Sequence, residues 1–543
     1  MSRVILSGVS PGATGKGRAQ SKDDGSEESA SFDYGLHCVP ASAQDASNTL
    51  RMGNWGKRVQ DAPLRIPLNH VVLAVLILIG TAARLPPITA NRFHQDEAIY
   101  SYWGRLIVSG RDPLLLTYPV DKPPLQPYLL ALMFRVFGVS EVAARLPGIA
   151  ASVLTIALTY HLAQRVYGAG PALIAAAFMA LSPFNILFAP TAFTDPLLVM
   201  WVVAALWCAV SGRWFWAGVL LGLAMATKQQ GALFVPLILA GGGCQVSGSK
   251  FQVWRGLAVF AAGFALPMAV VTLWDAQRWH VQPSYFEKGL TSYGGLMLAP
   301  FAEWGKRFGE WLGWLRYITA SPVLNLVLLV GTLLLLWTSR REVRTSPAAR
   351  FDFVLAGFVA LYLLAHWLLT FNVWDRYLLG LVPLLAMLLG RVVWGVGRVG
   401  NPAHGAIAVA LVVILLAHPA WQAAHSGYPV GGDHWAYDGI DAVADYLWAE
   451  MPPGAALYHR YLGWHYLFYL FDAPVDLRWY SSPSRLAEDA QQRSDVPRYV
   501  VLPGWEPRLP VQAALRRVGL TLRPLFRTVR TDDTVSFTVY RIE

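Results

Sequence analysis

Two adjacent carboxylates, Asp96 and Glu97, head a polar, aromatic stretch from Phe93 to Tyr128 that also holds Asp121-Lys122-Pro123-Pro124. On extended backbone the two acids cannot point the same way, whereas in a helical turn they can diverge. One can then act as general base on a hydroxyl while the other positions the site or binds a cation. Burial raises a carboxylate's pKa and a neighbouring Lys or Arg lowers it again. The plainer use of such a pair is at a helix N-terminus, where acids meet the helix dipole. Lys122 is stiffened by the prolines that follow it, and a fixed point charge suits a phosphate group; anchoring at lipid headgroups is its simpler role. Lys228, in Thr227-Lys228-Gln229, and Arg376, after Trp374-Asp375, are further cations at helix ends, where snorkelling alone would explain each. Asp195 opens a helix after Phe193-Thr194, where capping is its simpler role.

What positions these groups is a membrane scaffold. Of 543 residues 55% are hydrophobic and 14% charged, far from the composition of soluble domains. The formal charge of +10 fits basic loops on the cytoplasmic side better than nucleic-acid binding. Eleven apolar segments reach or approach the length of a bilayer span: 69–88, 147–166, 171–189, 194–211, 214–227, 230–244, 256–275, 321–338, 352–372, 376–396 and 404–423. Segment 125–138 carries Gln126, Pro127 and Arg135 and reads as a helix lying at the interface. Residues 1–68, rich in Ser, Gly, Ala, Asp and Lys with no apolar period, read as a disordered cytoplasmic tail rather than a signal peptide.

Charge sets the expected threading. With eleven spans, Arg165, Arg213, Lys250, Arg255, Arg340, Arg341, Arg344, Arg350, Arg391 and Arg398 fall in inside connections, accompanied only by Glu342 and Asp352. The acid pair, Lys122, Asp195, Lys228, Asp375-Arg376 and the chain after Tyr428 then share the outer face. Cys38, Cys208 and Cys244 fall on or near the cytoplasmic side, so no outer disulfide is expected. The expected organisation is a tail (1–68), a membrane domain (69–424) with outer loops 89–146 and 276–320, and an extracytoplasmic α/β domain (425–543). In the last, Ile440, Val443, Ala444 and Leu447 follow helical spacing, and Tyr499-Val500-Val501-Leu502 reads as a strand. Loop 276–320, dense in Trp, Tyr, Phe and Gly, suits an interfacial or substrate-lining role. No internal repeat is evident, which counts against an inverted-repeat transporter.

The sequence carries no P-loop, GxSxG elbow or CxxC zinc pattern. His366 and His418 read as packing residues, His94 and His459 as candidates to line the site. The ordered motifs resemble the GT-C fold of polyprenyl-phosphate-sugar-dependent glycosyltransferases, in the bacterial branch related to protein mannosyltransferases and the aminoarabinose transferase of lipid A. His94-Gln95-Asp96-Glu97-Ala98-Ile99-Tyr100 is similar to that family's DE-x-x-Y loop, and Lys122-Pro123-Pro124-Leu125 to its KPPL motif. Phe137-Gly138, Ala144-Arg145-Leu146-Pro147, Asp195, Gly222-Leu223-Ala224 through Thr227-Lys228, and Arg376-Tyr377 through Pro383 follow in the family's order, over residues 69–400. One departure is the segment Phe188-Ala189-Pro190-Thr191, where the family usually has an arginine before the helix-opening aspartate.

The resemblance implies a polytopic α-helical membrane protein of the plasma membrane with its N-terminus cytoplasmic. It implies a polyprenyl-phosphate sugar entering from the outer leaflet, its phosphate met by Lys122, Lys228 and Arg376. Asp96 would take the proton of a hydroxyl acceptor (glycan, lipid or protein) with inversion at the anomeric carbon, Glu97 and Asp195 positioning acceptor or loop. Tyr100, Arg145, His94 and Asp375 are further lining candidates. No cofactor is required by this scheme, and a divalent metal near the acids is compatible with it. The competing classes are a transporter or flippase of lipid-linked sugars and a non-catalytic envelope assembly protein; a lipid-linked-oligosaccharide ligase is an alternative among enzymes.

Overall fold

A computed structural model of the protein describes residues 67–244, 250–397 and 403–543. The expected tail and Cys38 lie almost wholly outside the described residues. Helices follow in the order α1 (Leu68–Arg84), α2 (Pro87–Ala90), α3 (Gln95–Val108), α4 (Leu125–Phe137), α5 (Glu141–Tyr167), α6 (Ala169–Leu181), α7 (Pro183–Phe188), α8 (Asp195–Val210), α9 (Trp214–Thr227) and α10 (Val235–Gly243). They continue with α11 (Lys250–Ala276), α12 (Tyr285–Ser292), α13 (Phe301–Leu315), α14 (Pro322–Ser339), α15 (Pro347–Leu368), α16 (Val382–Gly397) and α17 (Ala403–Ala424).

Among the described residues six helical stretches are long and apolar enough to cross a bilayer: Leu68–Ala90, Glu141–Tyr167, Val253–Ala276, Pro322–Ser339, Pro347–Leu368 and Asp375–Gly395. The other expected spans are helical too, but two are interrupted. Segment 171–189 breaks at Ser182, because Pro183 has no N–H to continue the helix and restarts it as α7. Segment 230–244 begins as a 3₁₀ turn, Gln229–Phe234, before α10. The span expected at 147 starts earlier: Ser140 caps α5 by accepting from the Ala143 N–H at 3.1 Å, so Pro147 lies inside the helix.

The buried core lies among α5, α6, α8 and α16, whereas α1, α11 and α14 expose Leu78, Leu266 and Leu329, as a lipid-facing rim does. Arg84, at the end of α1, is fully buried and donates to Ser152 Oγ and to the Gly80, Met179 and Ala180 carbonyls, pinning α1, α5 and α6 together. Helix α4 buries Leu130, Ala131 and Phe134 and exposes Leu132, Val136 and Phe137, the one-sided pattern of an interfacial helix. Segment 276–320 folds into amphipathic α12 and α13; α13 buries Arg307 and Trp311 and exposes Phe301, Phe308 and Leu312.

After Tyr428 the chain builds a five-stranded sheet in the order β2-β1-β3-β5-β4, with β1 (Ala456–His459), β2 (Asp476–Trp479), β3 (Arg498–Pro503), β4 (Leu522–Val529) and β5 (Val535–Ile542). β1 pairs parallel with both β2 and β3, and β5 runs antiparallel between β3 and β4. Period-two alternation divides the strands between two cores. Leu457, Tyr499, Val501 and Val539 pack with α18 (Ile440–Glu450) and α19 (Gly463–Tyr469). Tyr458, Val500, Leu502 and Tyr540 pack with α20 (Pro483–Gln492) and α21 (Arg508–Arg517). This is a three-layer α/β/α unit, and Ile440, Val443, Ala444 and Leu447 are the buried face of α18.

Candidate active site

The site begins at the N-terminus of α3. His94 is its N-cap: the ring accepts from the Asp96 N–H at 3.1 Å, and Glu97 Oε2 accepts in return from the His94 N–H at 2.9 Å, a capping box. The helical turn sends the two acids apart. Glu97 is fully buried; its Oε1 accepts from Arg145 Nε at 3.2 Å and from the Ala192 N–H at 2.9 Å. Arg145 also donates to the Ile88 and Asn91 carbonyls at 2.8 Å each and pairs with Glu141 at 3.1 Å. Gly148 lets this happen, since a Cβ there would lie 2.5 Å from the Thr191 carbonyl oxygen and push away the loop that offers the Ala192 N–H. Glu97 and Arg145 are therefore braces of the site, both Glu97 oxygens being already engaged by Arg145, the Ala192 N–H and the His94 N–H.

Asp96 keeps a 32% exposed side chain and holds Arg376 Nη1 at 2.5 Å. Arg376 is set by its neighbour: Asp375 Oδ1 accepts from the Arg376 N–H at 2.8 Å and Oδ2 from the Gly431 N–H at 3.0 Å. The guanidinium lies 4.3 Å from the Trp374 ring centre and 5.1 Å from that of Phe193, with its Nε buried and unpartnered. Burial alone would raise the Asp96 carboxyl, but Arg376, with His94 and Lys122, outweighs it and holds the group well below the usual carboxylate range.

Lys122 is buried, 3.1 Å from Asp121 Oδ2, with its ammonium 4.2 Å from the Tyr293 ring centre and 5.3 Å from that of Tyr100. Tyr293 donates to Asp121 at 2.7 Å, so the aromatic segment 276–320 does enter the site. Burial pushes the Lys122 ammonium below an ordinary lysine, Asp121 and Asp96 opposing. Lys228, where α9 ends, reaches Asp195 at the start of α8 at 2.7 Å and lies 4.8 Å from the Tyr377 ring centre. Lys228 lies within electrostatic reach of Arg376 and Lys122.

Three cations thus converge, each already holding one carboxylate: Arg376 with Asp96, Lys122 with Asp121, and Lys228 with Asp195. Among the described residues no three His, Cys, Asp or Glu side chains gather as a metal-holding group. His459 is not brought to this site. It ends β1, packed on Gly463 and Tyr466 within the sheet domain. His366 stacks on Tyr362 at 4.1 Å, a packing role. The sequence reading did not single out Tyr293, Trp374 or Asp433; the aromatic density around the first two was its only signal. Asp433 lies on the segment leading to the sheet domain, buried, and accepts from the Tyr437 N–H at 3.3 Å while its Oδ1 has no partner. The sheet domain closes the site from behind: His465 Nε2 meets the Phe93 carbonyl at 2.8 Å, and Arg105 of α3 donates to the Phe468 carbonyl.

Comparison with known proteins bears on the fold. Residues 121–274 match the family of dolichyl-phosphate-mannose-protein mannosyltransferases. The chain is 31% identical over 123 residues to a putative mannosyltransferase, YycA, of Bacillus subtilis, covering 21% of this chain and 18% of that protein. It is 22% identical over 258 residues to the undecaprenyl phosphate-alpha-4-amino-4-deoxy-L-arabinose arabinosyl transferase 1 of Pseudomonas fluorescens, covering 44% of each. The chain thus spans less than half the length of these curated relatives. ArnT from Cupriavidus metallidurans, solved bound to undecaprenyl phosphate, superposes with a TM-score of 0.58 at 16% identity over 87% of this chain and 97% of that one; its apo form gives 0.60 at 15% over the same shares. The archaeal oligosaccharyltransferase AglB from Archaeoglobus fulgidus gives 0.50 at 14%, over 82% and 70%. The chain has the GT-C membrane-glycosyltransferase fold.

Proposed function

We propose that this protein is a membrane glycosyltransferase that moves a sugar from a polyprenyl-phosphate carrier to a hydroxyl acceptor at the outer face of the membrane, with inversion. The observation that carries the reading is the convergence of Lys122, Lys228 and Arg376 around one partly exposed carboxylate, Asp96. Without donor the site is internally neutralised, and Asp96, clamped by Arg376, is a weak base. A phosphate arriving at Arg376 competes for the guanidinium and frees Asp96, so the base is released only when the donor is in place. Asp96 then takes the acceptor's O–H proton, the acceptor oxygen attacks the anomeric carbon, and the bond from that carbon to the phosphate oxygen breaks. The departing electron pair stays on the polyprenyl phosphate, where the three cations stabilise the charge. Asp195 holds Lys228 in place, and Tyr100 and Tyr293 hold Lys122. No step is routed through a metal. A transporter would be expected to carry its charges near mid-span; here they sit at helix ends and in loops.

The test is transfer from a purified undecaprenyl-phosphate sugar in liposomes. Asp96→Asn is expected to lose ~10²–10⁴-fold in rate, the usual contribution of a general base, and Lys122→Ala to lose transfer with weakened undecaprenyl-phosphate binding. Full transfer by both variants overturns the assignment.

A further inference from the structure

Helix α15 ends with three carbonyls that its own ladder leaves unpaired, those of His366, Trp367 and Leu368, since the capping N–H of Leu369 takes Ala365. Residues 299–311 answer all three. The Ala299 N–H donates to Leu368 at 2.8 Å, the Trp311 indole to His366 at 3.0 Å, and the Arg307 guanidinium to His366 at 2.9 Å and Trp367 at 3.0 Å. Arg307 also reaches past the helix end, donating to the Leu369 carbonyl at 2.5 Å and to that of Phe371 at 2.7 Å. One buried side chain of α13 thus holds both the end of α15 and the loop that leaves it. Among the described residues Arg307 pairs with no carboxylate; its charge is met by these four carbonyls and by the negative end of the α15 dipole. Carbonyls spread from His366 to Phe371 suit the fork of an arginine, where the ammonium of a lysine is a single point.

The loop held in this way runs into the candidate active site. The Thr370 N–H donates to the Met297 carbonyl at 2.8 Å, and residues 371–374 then belong to no helix or strand. They end at Trp374, whose ring lies 4.3 Å from the Arg376 guanidinium and 5.6 Å from the Tyr293 ring. Asp375 orients Arg376 through its backbone N–H, but Asp375 itself stands at the end of this loop. A stretch without a hydrogen-bonded ladder takes its place from the groups that hold its carbonyls, and here the chief of these is Arg307. We infer that Arg307 is a positioning residue for the donor: it sets the loop that aims Arg376 and acts on the phosphate through Arg376. The inference rests on the glycosyl-transfer reading above, in which Arg376 receives the donor phosphate.

The test is a double-mutant cycle on the full-length protein in nanodiscs, titrated with sugar-free undecaprenyl phosphate. Arg376→Ala and Arg307→Met are each expected to weaken binding ~10-fold or more, and Arg307→Lys ~5-fold, on the scale at which a tenfold change is one well-made contact. Arg307→Met combined with Arg376→Ala should bind within ~2-fold of Arg376→Ala alone, because a residue that works through another adds nothing once that one is gone. Thermal melts of the same samples separate positioning from stability. An Arg307 that only stabilises the fold would lower the melting temperature and leave the affinity of the folded protein unchanged, or its loss would multiply in full with that of Arg376→Ala; either result overturns the inference. If Arg307→Met fails to fold, Arg307→Lys carries the same cycle. Arg376→Ala binding as tightly as wild type overturns the phosphate reading and this inference together, whereas a weakened Arg376→Ala beside an unaffected Arg307→Met sinks only the positioning role.

Discussion

Asp96 and Glu97 are neighbours with opposite fates, and one helical turn decides them. Glu97 completes the capping box and braces Arg145 in the interior, while Asp96 faces Arg376 with part of its surface open. Sequence could identify the pair and its cations but not the division of labour, because that depends on where the 189–192 loop and Arg145 end up. The clamp has a pH signature. Arg376 holds the Asp96 carboxyl below the ordinary range, so the base stays ionised through neutral and mildly acidic pH and the acid limb of kcat/KM falls below about 4. In Arg376→Ala burial meets less opposition, so the residual activity should show an acid limb moved to higher pH. A limb that does not move would mean that Asp96 is not the titrating base.

Elements follow the same logic at larger spacing. Apolar helices were legible from length and composition, six of them among the described residues long enough to cross a bilayer, as were α18 from its helical spacing and β3 from its short apolar run. The breaks at Ser182 and at Gln229–Phe234 were not read, although Pro183 marks the first, because the apolar run continues unbroken through both. Helices α3 and α4 touch at Gly104, where a Cβ would fall 2.8 Å from Leu130 Cβ and 3.2 Å from the Ala131 nitrogen. A valine there cannot be housed without prising the two helices apart. Gly104→Val is expected to cost ~1–3 kcal/mol, as overpacking does, and to lower transfer by tilting the helix that presents Asp96. The check is a thermal melt in detergent beside the liposome assay; an unchanged melting temperature would show that α4 does not seat against α3 in this way.

For the whole molecule, the sheet domain and the membrane domain meet over a buried acid. Asp433 lies between them, its pKa pushed up to about 7 by burial, with Glu97 adding and Arg145 opposing. An unfolded chain titrates this group near about 3.9, so the folded protein keeps a proton that the unfolded one gives up. Its contribution to stability is full below about pH 4 and is lost as pH rises through 7. Asp433→Asn should flatten that decline, raising the melting temperature at pH 8 by ~3–8 °C while changing it little at pH 4. Equal pH profiles for variant and wild type would place Asp433 in solvent. Sequence alone could mark the sheet domain as separate in texture, yet not that it leans on the helix bearing Asp96, because Phe93 and His465 are 372 residues apart.

That distance has a consequence for biogenesis. The acid pair emerges from the ribosome early, but the groups that steady it, Gly431 on Asp375 and His465 on Phe93, are made last. Until the final strands close the sheet, a nascent chain carries Asp96 on an unsupported helix end. On the glycosyl-transfer reading, a chain cut short before this sheet is therefore expected to be inert in the transfer assay even where its membrane helices are intact.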